Sequence, residues 1–206
     1  MFLAKMPAIV KKFYSKFEWD GSLTQPPCIY LTFDDGPHPT ITPWVIEQLA
    51  QYDAQATFFC VGENVLKFPE TFELIKHMGH TVGNHTYNHL RGYNTDHDEY
   101  IENVAKADQL INSKLFRPPH GRIKSKQANT LIEQGYRIIM WSIIAGDWDR
   151  SLDPQRCLEN IIFNLEPGNI VVLHDSEKSW DRMNYVLPRL LEHCKNEGLA
   201  VRCLIP

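Results

Sequence analysis

The sequence predicts an α/β protein with parallel strands, and closure of those strands into a barrel. Three observations lead there. Short apolar runs recur along the 206 residues, separated by helical patterns. The runs lack in/out alternation, as strands buried on both faces do. Nearly every residue with chemical potential falls just after one of the runs, where barrel enzymes place their sites. An open doubly wound sheet would instead gather its ligands at one switch point.

The seven strands are expected at 28–33, 56–61, 81–84, 115–117, 136–141, 169–173 and 199–204. Between them, Thr42 reads as an N-cap with Pro43 at the first helical position, leading into a helix over 44–52. Further helices are expected over 63–77, 96–113, 125–134, 153–165 and 180–196. Several stop just before a glycine (Gly79, Gly135, Gly198), the residue suited to the left-handed position after a last helical turn.

The composition, 43% hydrophobic and 22% charged, is that of a globular protein, and the length suits one domain with a substantial core. A net charge of −4 gives no global positive field, so nucleic acid is not an expected partner. The five cysteines (Cys28, Cys60, Cys157, Cys194 and Cys203) include no C-x-x-C pair and read as reduced thiols, which favours a reducing compartment. No run reaches the roughly 18 apolar residues of a membrane span.

Residues 1–24 read as a separate N-terminal segment ahead of a catalytic domain at 25–206. Within it, Phe2, Met6, Ile9, Val10, Phe13 and Phe17 share helical spacing against several lysines. Such a stripe more often covers a protein's own core; the alternative is weak contact with an anionic membrane surface through residues 1–17. No export signal is legible, because Lys5 interrupts the apolar stretch and no small-residue cleavage site follows. A cytoplasmic or membrane-surface location is the expectation from the sequence alone.

Two segments carry the chemistry. Thr32-Phe33-Asp34-Asp35-Gly36-Pro37 offers adjacent carboxylates whose side chains diverge; read alone, it is a turn. His85-Thr86-Tyr87-Asn88-His89 offers two imidazoles at i, i+4, which a helical turn would stack on one face. Alone it is equally a surface pair. Together they supply three ligands, with one carboxylate left over as a base, which fits a catalytic zinc site whose fourth position is open to water. Arg117-Pro118-Pro119-His120-Gly121 is a stiff loop whose arginine can pair with a carboxylate. Asp147-Trp148 and Leu173-His174-Asp175 also follow strands, and a histidine beside a carboxylate suits a general acid.

In these motifs the chain resembles the polysaccharide deacetylases of carbohydrate esterase family 4, over roughly residues 29–204. The resemblance implies a distorted (β/α) barrel, with Asp34 as catalytic base and Asp35, His85 and His89 as metal ligands. Arg117 resembles the residue orienting the base, Asp147 the one orienting the acid, and His174 the acid itself. His120, Trp148 and Leu173 resemble substrate-binding positions, His120 through its backbone N–H and Leu173 as a wall of the acetyl pocket. Two positions depart from the family pattern: His120 stands where Tyr is usual, and Ile144 where an Asp is usual.

The implied activity is metal-dependent removal of N-acetyl groups from N-acetylglucosamine glycans of peptidoglycan or chitooligosaccharide type, releasing acetate. Zn2+ is the expected ion, with Co2+ or another divalent cation as the alternative. An O-acetyl esterase on a xylan-like polymer, an inactive carbohydrate-binding homologue and an amidase on a non-sugar substrate are the rival readings. The family's substrates point to the cell envelope, in tension with the missing export signal.

Overall fold

The first strand, β1 (Cys28–Asp34), is buried along its whole length and sits at the centre of the sheet. The computed structural model describes residues 3–205. In chain order, β1 is followed by β2 (Thr57–Cys60), β3 (Thr81–Asn84), β4 (Leu115–Phe116), β5 (Arg137–Ile138), β6 (Ile143–Ile144), β7 (Ile170–His174) and β8 (Ala200–Arg202). The strands are parallel in the order β5-β4-β3-β2-β1-β7-β6, and β8 pairs with the first half of β1. With its surrounding helices the sheet forms a distorted (β/α) barrel.

The strand period of two sorts side chains into two layers. Ile29, Leu31 and Phe33 join the outer core beneath the helices, with Val171 and Leu173 of β7. Cys28, Tyr30 and Ile170 join an inner cluster with Phe59 and Ile139. Continuing that alternation carries Asp34 and His174, the last residues of β1 and β7, to the inner side at the carboxyl end.

The helices are α1 (Ala8–Phe13), α2 (Ile41–Ala50), α3 (Gly62–Lys67), α4 (Pro69–His77), α5 (His97–Ile111), α6 (Ser125–Glu133), α7 (Pro154–Ile162) and α8 (Trp180–Asn196). Several sequence expectations need correction. The helix expected over 63–77 is two, because Pro69 lacks an N–H and pushes Phe68 out of the helical region (φ −130°, ψ 58°). Thr42 does not cap α2, which starts at Ile41. Its hydroxyl instead accepts the His38 N–H (2.7 Å) and donates to Asp175. Of the run expected at 136–141 only β5 forms a strand, and β6 follows as an eighth, unforeseen strand. His80 is buried, and its Nδ1 accepts the Ala56 N–H (3.3 Å).

The sheet leaves open edges at β5 and β6, and unpaired strand edges need partners. The N-terminal segment supplies them. Glu18 pairs with Ile139 beyond β5 and Lys5 pairs antiparallel with Ile143 of β6. Half of the apolar stripe accordingly faces the protein: Met6, Val10 and Phe17 pack on the cluster around Trp19 and Phe116. Ile9 and Phe13 stay exposed, and Phe2 lies outside the described residues. Among the described residues no helix is long and apolar enough to cross a membrane. All five cysteines are free, and four are buried.

Candidate active site

Asp34 and Asp35 divide at the end of β1. Asp34 keeps extended backbone, while Asp35 turns into the left-handed region (φ 81°), so the two carboxylates diverge. The turn is held from behind. Asp175 Oδ1 accepts the Gly36 N–H (3.1 Å), the Asp175 N–H donates to Asp34 O (3.2 Å), and Asn64 Nδ2 donates to Asp35 O (2.7 Å). A Cβ on Gly36 would overlap the Asp175 carboxyl group, so glycine is required there for space. Burial pushes the Asp175 carboxyl up to about 8, against the lowering hydrogen bond from Thr42.

His85 and His89 lie on an irregular loop, not on the helical turn that their spacing suggested. Thr86 (φ 67°) and His89 (φ 57°) are left-handed, which breaks any helical turn. The loop is fixed by the buried Asn84, whose Oδ1 accepts the Thr86 N–H (2.8 Å) and whose Nδ2 donates to Val104 O (3.0 Å). The first amides of α3, Gly62 and Glu63, donate to Thr86 O (3.0 Å) and Tyr87 O (2.7 Å). This rigid frame brings the two imidazoles to 5.1 Å between ring centroids.

Asp35, His85 and His89 offer one ligand atom each, all within 4.8 Å of one another. Asp35 Oδ1 lies 3.2 Å from His89 Nε2 and 3.8 Å from His85 Nε2. His85 Nδ1–H donates to Arg117 O (2.7 Å), which leaves Nε2 as the ligating nitrogen. Burial lowers His85 to about 4, so it is neutral and free to ligate. Burial opposes ionisation of Asp35, but the hydrogen bond from His89 and the surrounding imidazoles hold it well below the usual carboxylate range. One carboxylate and two imidazoles suit a divalent cation such as zinc.

Arg117 is fully buried inside the barrel, and its donors are used in full view of the site. Nη1 donates to Asp34 Oδ1 (2.7 Å) and Thr32 Oγ1 (2.7 Å), Nε to Ile139 O (3.2 Å) and Nη2 to Met140 O (2.9 Å). Its guanidinium lies 4.1 Å over the Phe59 ring. Asp34 thus meets a fixed planar cation rather than a mobile one.

Asp147, also fully buried, accepts two hydrogen bonds from His174, one from Nδ1 and one from the backbone N–H, both 2.8 Å. The Nε2 edge is left for chemistry. Burial lowers His174, but the charge and hydrogen bond of Asp147, with the charges of Asp35 and Asp34, outweigh it and raise the imidazole to about 10. The Trp148 ring stands edge-on to His174, with 5.2 Å between centroids.

A cleft of about 870 Å³ opens over these groups. Asp34, Asp35, His85, His89, His120, Trp148 and His174 line it. Arg117 and Asp147 lie behind the lining, each against the residue that it holds. Leu173 lies elsewhere: on β7 it alternates with His174, so it points to the helix layer and is fully buried there. His120 is left-handed (φ 59°), and its Nε2 accepts the Arg91 Nε–H (3.2 Å). Burial, His89 and Arg91 all lower it, so the ring is neutral. Trp44 and Trp180 pair edge-to-face (5.0 Å) against the outer core, outside the cleft.

Sequence reasoning missed Asp175, Asn84 and Asn64, which position the ligand loops without touching the cleft. The nearest signal was that Asn84 and Asp175 directly adjoin His85 and His174. Ile144, where the family pattern usually has Asp, is buried and lines the cleft.

A barrel mouth with a candidate three-ligand cation site, an arginine-paired carboxylate and a carboxylate-held imidazole is the scaffold of a metal-assisted hydrolase. The model of the polysaccharide deacetylase family matches residues 22–139, and the chain belongs to that family. A peptidoglycan-N-acetylglucosamine deacetylase of Bacillus cereus is 34% identical over 173 residues, covering 79% of this chain and 62% of that protein. A second B. cereus protein of that name is 36% identical over 178 residues, covering 82% and 83%. A chitooligosaccharide deacetylase of Azorhizobium caulinodans is 32% identical over 154 residues, covering 71% and 73%. Among solved structures, a peptidoglycan N-acetylglucosamine deacetylase bound to a naphthyl-substituted N-hydroxybenzamide superposes with a TM-score of 0.81 at 31% identity, covering 95% of this chain and 94% of that one.

Proposed function

We propose that this chain hydrolyses the acetamide of N-acetylglucosamine residues in a glycan, releasing acetate and leaving a free amine. The observation that carries the reading is that Asp34 and His174 line one cleft with the Asp35–His85–His89 set. Relatives named for peptidoglycan and chitooligosaccharide substrates support the same bond.

Asp35, His85 and His89 would hold the divalent ion, with Zn2+ as the expected species. When bound, such an ion polarises a carbonyl and lowers the pKa of water beside it. Asp34, paired with Arg117, accepts the proton of the attacking water. The His120 backbone N–H donates to the developing oxyanion. His174, held by Asp147, delivers a proton to the leaving nitrogen, so that the amine rather than an amide anion departs. Trp148 shields the His174 ring from bulk water and lies where a sugar can reach it.

The test is acetate release from chitooligosaccharide, peptidoglycan and acetylated xylan, with and without chelator. Release from the first two that a chelator abolishes and zinc restores supports the proposal. Release from xylan alone replaces it with the O-acetyl esterase reading, and none from any substrate points to a binding homologue.

A further inference from the structure

The cleft has an apolar wall on the β6 side, formed by Leu3, Met6, Trp141 and Ile144, that the chemistry above does not use. Main-chain bonds build it. The Ile144 N–H donates to Ala4 O (2.9 Å), the Met6 N–H donates to Ser142 O (2.8 Å), and Lys5 stands opposite Ile143. Residues 4–6 are therefore an added antiparallel partner of β6. With a period of two, Lys5 shares the outer face with Ile143, and Met6 shares the inner face with Ile144. Lys5 is anchored outside by Glu166 (3.1 Å), which holds that orientation.

Trp141 continues the wall toward the catalytic loop. A Cβ on Gly121 would overlap the Trp141 ring, so the indole lies directly against the loop that carries His120. The same cleft is also lined by Arg91 and Lys178, and Arg91 Nε–H donates to His120 Nε2 (3.2 Å). The lining thus offers cationic hydrogen-bond donors as well as an apolar, aromatic wall. That combination matches a pyranose ring, which has a polar hydroxyl rim and an apolar C–H face.

We propose that Leu3, Met6, Trp141 and Ile144 form a saccharide-ring subsite for a sugar adjoining the one that is deacetylated. The N-terminal segment then takes part in substrate recognition besides covering a sheet edge. Ile144 continues the wall because the segment beside it is apolar at Leu3 and Met6. The inference rests on the glycan reading above.

The test compares wild type with Leu3→Asp and Leu3→Met on an N-acetylglucosamine tetrasaccharide and on the N-acetylglucosamine monosaccharide. Leu3 is 62% exposed, so both variants fold. Leu3→Asp is expected to raise KM for the tetrasaccharide by roughly tenfold with kcat nearly unchanged, the pattern of a lost binding contact. KM for the monosaccharide, which has no adjoining ring, stays within about twofold, and Leu3→Met behaves as wild type. No change, or an equal change on both substrates, overturns the subsite. Tryptophan fluorescence titration with the tetrasaccharide reads the wall without turnover. If wild type releases no acetate, the deacetylase reading falls, and the titration decides alone: weaker binding by Leu3→Asp supports the subsite, equal binding removes it.

Discussion

Asp34 and His174 are register partners, each the last residue of its strand, on the adjacent parallel strands β1 and β7. Adjacent strands lie about 4.8 Å apart. The proposed base and acid are therefore held at a separation set by the sheet ladder, while loops supply the candidate ligands His85 and His89. Each partner is fixed from behind by a buried ion of opposite charge, Arg117 for Asp34 and Asp147 for His174.

Replacing Asp34 by Asn removes the proton acceptor and keeps the shape. We expect kcat to fall by roughly 10²–10⁴, the usual weight of one acid–base group, with bound metal unchanged. Stopped assays of acetate release beside metal analysis of the purified variant check this. A variant that keeps wild-type turnover excludes Asp34 as the base.

The proton on His174 depends on Asp147. A folded-state value near 10, above the ordinary 6.5, means that the fold favours the protonated ring. That contribution to stability is complete below about 6.5 and is lost as pH rises through about 10. Asp147→Asn removes the main raising charge, so the alkaline limb of the kcat/KM profile moves to lower pH. An unmoved limb assigns the titration to another group.

The three ligands should behave as a unit. One divalent ion per chain is expected, by direct metal analysis, and His89→Ala should lose it where Asp34→Asn keeps it. Zn2+ or Co2+ restores the chelated wild type but not His89→Ala at comparable concentration. Equal metal content in both variants places the ion elsewhere.

Arg117 and Asp34 are a buried pair, with side chains 0% and 6% exposed. Arg117→Ala leaves an unpaired buried carboxylate and should destabilise by about 3–5 kcal/mol. The double variant Arg117→Met with Asp34→Asn should recover most of that loss in denaturant unfolding. Additive losses would show that the two residues do not stabilise each other.

Gly36→Ala probes the Asp175 buttress. Its methyl group meets the Asp175 carboxyl group, and overpacking of this kind costs about 1–3 kcal/mol. A lower Tm together with reduced metal occupancy is expected, because the displaced turn carries Asp35. A loss of Tm with full occupancy would make the buttress purely structural.

The residues proposed as ligands, base, acid and buried partners stand out in the sequence because each lies in a short motif after an apolar run, and the resemblance to the family assigns the role proposed for each. Composition and strand patterning likewise gave the α/β class. The His85–His89 geometry was not legible: spacing suggested a helical turn, whereas the left-handed Thr86 and the Asn84 bonds make a loop. Leu173 was placed by motif alone, but the alternation of β7 turns it to the helix layer. The positioning role of Asp175 depends on its contact with Gly36, 139 residues away in sequence, which no local pattern encodes.

The N-terminal segment marks the same boundary. By itself the sequence determined an amphipathic stripe, a set of catalytic residue types and a strand pattern, all of which are local. Only the tertiary structure decided that residues 4–6 close an edge of β6 and line the cleft beside Ile144. Edge pairing and cavity walls depend on which distant backbone groups remain unsatisfied once the sheet has formed, and that is a property of the assembled barrel.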